Sequence, residues 1–268
     1  MVEKENENHL KMDSCDWYGF LAETFGTIPV HMGGSAATEK LLEMCQLDEN
    51  SQVLDVGCGS GYTACEIAKN YGSQVIGIDI SEKQIIKAKE SARKQKLEDK
   101  IEFRVASVLE LPFDKETFDV VIFESVLTPL GDNKEEALKE MVRVLRANGR
   151  IGANEGAFSP LTPPEVLKGL EGGWGGSSFL TFDDLRELFE DSGLKILQMV
   201  EGKEKLNIMG ELGLRGILAF MVRRYPKLLW RLITDSKLRE AQKKDTELNK
   251  AFNEHGGGYV LIVGQKTG

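Results

Sequence analysis

Residues 53–64 read VLDVGCGSGYTA, and this stretch decides the fold. An apolar run (52–56, QVLDV) has the length and Val content of a buried strand. It passes straight into Gly57, Gly59 and Gly61 and then into an amphipathic segment over 62–70 that predicts a helix. Glycine lets the backbone turn tightly at that junction and brings its N–H groups close to a ligand that any side chain would block. Asp79 closes the next apolar run (74–80, QVIGIDI), about twenty residues further on, where a carboxylate can accept both hydroxyls of a ribose. With Asp55 just before the glycines, the pattern points to an adenosine-containing ligand.

Outward from this unit, short Val- and Ile-rich runs alternate with longer amphipathic ones. Strands are expected at 101–106 (IEFRVA), 118–123 (FDVVIF) and 150–153 (RIGA), with helices at 81–95, opened by Ser81, and at 134–147, closed by Asn148 and Gly149. Such alternation predicts parallel strands joined by right-handed crossovers. A helix over 35–45 precedes the first strand. The stretch EGAFSPLTPPEVLKGLEGGWGGSS (155–178) reads as one long glycine-rich loop, and a helix (181–193) and two strands (194–202, 257–266) complete the chain. The expected division is a cap over 1–50, a ligand-binding core over 51–202, a helical insertion over 203–255 and a final core strand over 256–268.

Composition excludes several classes. The 268 residues carry 34 basic and 43 acidic side chains, a net charge of −9, which argues against nucleic acid as a partner. Cys15, Cys45, Cys58 and Cys65 form no C-x-x-C pair, and His9, His31 and His255 are scattered, so no metal site is expected. The polar start and the lack of a long apolar run lead to the expectation of a cytoplasmic chain, monomeric or homodimeric.

The spacing G-x-G-x-G departs from the dinucleotide pattern G-x-G-x-x-G, whose third glycine falls where this chain has Tyr62. The run 53–61 instead resembles the first motif of the class I S-adenosylmethionine-dependent methyltransferases. Residues 75–81 (VIGIDIS), 106–113 (ASVLELPF), 118–130 (FDVVIFESVLTPL) and the closing GGYVLIVGQK are similar to later segments of that family. The resemblance implies a Rossmann-like, doubly wound, mostly parallel seven-stranded sheet with an antiparallel last strand. It implies S-adenosylmethionine as cofactor, with Gly57, Gly59 and Gly61 around it, Asp55 nearby, Asp79 on the ribose, Ile80 beside the adenine, and Ser107 and Val108 at the adenine edge. Ser107 stands where the family usually has Asp, so the bond accepted there is weaker.

Methyl transfer is an in-line displacement that asks the protein to align the groups and exclude water, with one base where the acceptor loses a proton. Three residues are candidates. Glu124, at the end of the fourth strand, acts as base, holds a cationic acceptor or binds the methionine amino group. Glu155, beside Asn154, is a base or simply caps a loop. His31 is a base on the cap or a structural histidine. Trp17, Tyr18 and Trp174 either shape the acceptor pocket or pack the cap. The basic amphipathic stretch 210–237, with Arg223, Arg224, Lys227, Arg231 and Lys237, suits a membrane surface carrying a quinone or lipid acceptor, or else a lid or subunit contact. The expected activity is methyl transfer to a small-molecule acceptor. A non-catalytic cofactor-binding regulator is the reading from another class, and Glu124 argues against it.

Overall fold

The computed structural model describes Pro29 and residues 31–170, 178–203 and 225–267. Seven strands form the main sheet path: β1 (Gln52–Val56), β2 (Gln74–Asp79), β3 (Ile101–Val105), β4 (Phe118–Glu124), β5 (Leu145–Phe158), β7 (Leu194–Gly202) and β8 (Gly258–Lys266), in the order β3-β2-β1-β4-β5-β8-β7. A two-residue strand, β6 (Leu180–Thr181), pairs with β5 as an eighth. The pairs among β1 to β5 are parallel, and β8 runs antiparallel between β5 and β7.

Helices cover both faces. On one lie α1 (Gly34–Cys45), α2 (Tyr62–Tyr71) and α3 (Glu82–Gln95), the last capped by the Ser81 hydroxyl. On the other lie α4 (Lys134–Val144) and α6 (Phe182–Asp191). Alternation along each strand feeds both cores: Val53, Val120 and Ile122 face α1 to α3, while Leu54, Val56, Val121 and Phe123 face α4 and α6. Side chains as fully buried as Leu41 or Phe123 each contribute roughly 1.5–3 kcal/mol of hydrophobic stabilisation. The sheet order reverses between β1 and β4, so a crevice opens at the carboxyl ends of these two strands.

Two local expectations are corrected. The helix expected over 134–147 ends at Val144, because Leu145 is already extended and pairs with Phe118. Residues 146–149 bulge opposite Asp119, which binds Arg146 at 2.6 Å, and Asn148 takes a left-handed φ of 62°. The stretch 155–178 is also less of a loop than expected. Paired to β8 through Ala157, β5 continues to Phe158, and a short helix, α5 (Pro164–Leu170), follows. Glu155 therefore stands inside a strand. Two further helices, α7 (Tyr225–Thr234) and α8 (Ser236–Glu254), precede β8, and Leu248 and Phe252 of α8 pack on Phe158 and Phe179.

Candidate active site

At the end of β1, Gly57, Gly59 and Gly61 take φ values of 67°, 51° and 82°, the left-handed region that favours glycine. The N–H of Gly59 donates to Asp79 Oδ2 at 3.0 Å, and the N–H of Ser81 donates to Asp79 Oδ1 at 2.8 Å. One carboxylate thus ties the glycine loop to the end of β2. A Cβ added at Gly59 would meet nothing within 4 Å, so that flank of the loop is open. A Cβ at Gly57 would come 2.5 Å from Val126 Cγ2 of the segment after β4. Asp55 lies beneath, buried, with Oδ2 lacking a hydrogen-bond partner. Its carboxyl is pushed well above the ordinary range by burial first and then by Glu124, with a smaller push from Asp79, while the Ala64 N–H opposes the rise. Around the loop, Ile80 is half exposed and Val108 buried. The Ser107 hydroxyl accepts the N–H of Leu109 at 3.2 Å.

Glu124 ends β4 on the face covered by α1 and α2 and has three donors and the His31 ring around it. Thr63, in the first turn of α2, donates to Oε1 at 2.7 Å. Thr38 of α1 donates to both oxygens at 3.2 and 3.1 Å. Asn154 Nδ2 lies 3.1 Å from Oε2, as does His31 Nε2, and the His31 and Glu124 side chains are each 6% exposed. Sheet register makes this possible. Glu124 pairs directly with Asn154, and alternation along β5 sends Asn154 toward α1 with Gly152 while Glu155 turns to the opposite face with Ala153. His31 enters from the segment before α1.

Glu155 is therefore not in this cluster. Its Oε1 accepts the N–H groups of Val126 and Leu127 at 2.6 and 2.8 Å, and its Oε2 accepts the Thr128 hydroxyl at 3.3 Å. Burial pushes its carboxyl up to about 7, against the lowering effect of these donors. It anchors the segment that packs on Gly57, which is the loop-capping alternative. Thr38 and Thr63 are site residues that motif reading missed. Trp17, Tyr18, Trp174 and residues 210–224 lie outside the described residues.

Comparison with known proteins bears on what this arrangement serves. A family model described as a methyltransferase domain matches residues 47–169, which span the glycine loop, Asp79, Glu124 and Glu155. The methyltransferase GfsG of Streptomyces halstedii is 28% identical over 197 residues, covering 72% of this chain and 70% of its own. Among solved structures, the [4+2]-cyclase SpnF superposes with a TM-score of 0.71 at 20% identity, over 94% of this chain and 91% of its own. A geranyl diphosphate methyltransferase in complex with SAM does so with a TM-score of 0.65 at 19% identity, over 87% and 85%. At such identities the structural likeness speaks for the fold, and the family match speaks for the chemistry. The segment 47–169 is thus a methyltransferase domain, and the chain is similar to S-adenosylmethionine-dependent methyltransferases in sequence and in fold.

Proposed function

We propose that this enzyme methylates a small-molecule acceptor that gives up a proton to Glu124 as it is methylated. The observation that carries the reading is the buried His31–Glu124 pair at the carboxyl end of β4, joined through Thr63 to the helix that follows the glycine loop. The bound cofactor supplies a methyl group activated on a positively charged sulfur. Residues of this chain fit such a group: Asp55 Oδ2 is buried without a partner, and Gly59 has an open flank. In this reading Gly57, Gly59 and Gly61 approach the cofactor by backbone, Asp79 takes the ribose, and Ile80, Ser107 and Val108 border the adenine.

A carboxylate offers about four lone-pair sites, and Thr38, Thr63, Asn154 and the nearby His31 ring crowd those of Glu124. An acceptor hydroxyl or acidic carbon reaches it by replacing one of them. The Thr38 bond, split over both oxygens, yields most readily. Glu155 is a positioning group for the segment after β4 and takes no proton from the acceptor. Three buried free thiols, Cys45, Cys58 and Cys65, agree with a reducing cytoplasm.

The test is turnover with S-adenosylmethionine against phenols, alcohols, amines, thiols and carbon acids, read as S-adenosylhomocysteine and methylated product. With the accepted compound, Glu124→Gln should lose on the order of 10²-fold or more in kcat and keep cofactor affinity within a few-fold. Retained turnover would remove Glu124 as base, and lost cofactor binding would make it a ligand of the cofactor.

A second reading, a quinone or lipid acceptor met at a membrane surface, is favoured by α7. Trp230 and Ile233 there are 66% and 67% exposed, in a helix whose ten residues include Lys227 and Arg231 and no acid. No helix among the described residues is long and apolar enough to cross a membrane. Co-sedimentation with anionic vesicles that disappears in Trp230→Ser/Ile233→Ser would support surface docking; indifference to vesicles at low salt would end it.

A further inference from the structure

The ring of His31 sits among four polar groups. Nε2 lies 3.1 Å from Glu124 Oε2 and 3.0 Å from Thr38 Oγ1, while Nδ1 lies 2.8 Å from Asn154 Nδ2 and 3.0 Å from the Met32 carbonyl. A neutral imidazole carries one N–H, and these neighbours decide where it sits. With the proton on Nε2, the ring donates to Glu124, and the Nδ1 lone pair accepts from the Asn154 amide. With the proton on Nδ1, the ring donates to Met32 O, and Nε2 can accept from the Thr38 hydroxyl at 3.0 Å only if that hydroxyl gives up its bonds to Glu124, while two contacts turn repulsive. The Nδ1–H then faces the Asn154 N–H at 2.8 Å, and the bare Nε2 faces a carboxylate oxygen at 3.1 Å.

Turning the Asn154 amide over does not rescue the second arrangement. Its oxygen would then lie 3.1 Å from Glu124 Oε2 and 3.3 Å from Met32 O, both acceptors. The amide nitrogen, in contrast, has acceptors on every side in Glu124 Oε2, Met32 O and His31 Nδ1, and these fix which way round the amide lies.

We propose that Asn154 is a positioning residue that fixes His31 as the Nε2–H tautomer, making the histidine a hydrogen-bond donor to Glu124 rather than a proton acceptor. This rests on the reading of Glu124 as the group that takes the acceptor's proton, and it divides the labour of the pair. His31 holds and orients the carboxylate, and only Glu124 receives a proton. Asn154 touches no substrate and acts through His31.

The experiment is ¹⁵N NMR of the histidine rings in the full chain with S-adenosylmethionine bound, His31 being assigned by its loss in His31→Asn. The wild type should show a pyrrole-type Nε2 and a pyridine-type Nδ1. In Asn154→Ala the proton should move to Nδ1, toward Met32 O, wholly or in exchange, and kcat should fall tenfold or more with little change in cofactor affinity. A wild-type Nδ1–H tautomer overturns the proposal by itself, whether or not any variant folds. An unchanged His31 spectrum in Asn154→Ala overturns it too, and Asn154→Ser repeats that comparison if the alanine variant is unstable. A proton that moves as expected with kcat unaltered upholds the tautomer lock and removes Glu124 as proton acceptor, so the two readings fail separately.

Discussion

Asp79 holds two backbone N–H groups, one in the glycine loop and one at the start of α3, and in the proposed site it also meets a ribose. Asp79→Ala should weaken S-adenosylmethionine binding by on the order of 1.5–3 kcal/mol, as for hydrogen bonds to a charged group. Titration calorimetry measures this, and wild-type affinity in the variant would take the ribose away from Asp79. That carboxylate was legible because strand, glycine turn and the following strand fix its place within one βαβ unit. The His31–Glu124 pair was not, since neither residue carries a local signal that the other lies near. Asn154 and Glu155 are adjacent in sequence but separated in space, and the reason is the strand period of two. Ending the fifth strand at Ala153 in sequence hid the fact that one residue faces α1 and the other faces away.

At the scale of elements, the glycine loop after β1 and the segment after β4 are packed as one unit, with Val126 against Gly57 and Glu155 behind Val126 and Leu127. Gly57→Ala faces two separate penalties. A side chain at a φ of 67° costs roughly 1–2 kcal/mol, and its Cβ would lie 2.5 Å from Val126 Cγ2. Denaturant unfolding should show a loss larger than the backbone cost alone, and Val126→Ala in the same chain should recover the part due to the clash. No recovery in the double variant would mean that the two segments are not packed as described. Strand and helix types were legible because their periods are strong, and Ser81, Gly57 and Gly61 marked ends correctly. Leu145 was misplaced because 134–147 keeps a helical apolar period past the helix end. Pairing with Phe118 and the positive φ of Asn148 end the helix, and both are tertiary facts.

For the whole molecule, buried acids make stability depend on pH in the direction opposite to that of a salt-bridged carboxylate. Burial raises the Glu155 carboxyl from 4.5 to about 7 and raises Asp55 well above its ordinary value, so the fold favours their neutral forms. The stability tied to Glu155 is fully present below about 4.5, falls as pH climbs toward about 7 and is constant above it. A shift of this size corresponds to on the order of 3 kcal/mol. Glu155→Gln keeps an oxygen for the Val126 and Leu127 N–H groups and removes the charge. The variant should match the wild type near pH 5 and exceed it at pH 8 by on the order of 2 kcal/mol, with a flatter profile between. Glu155→Ala should instead lose stability at both pH values, because the backbone N–H groups of Val126 and Leu127 lose their buried acceptor. Urea unfolding of the three chains at pH 5, 6, 7 and 8 measures this directly. Parallel profiles for wild type and Glu155→Gln would show that the ionisation of Glu155 is not coupled to folding.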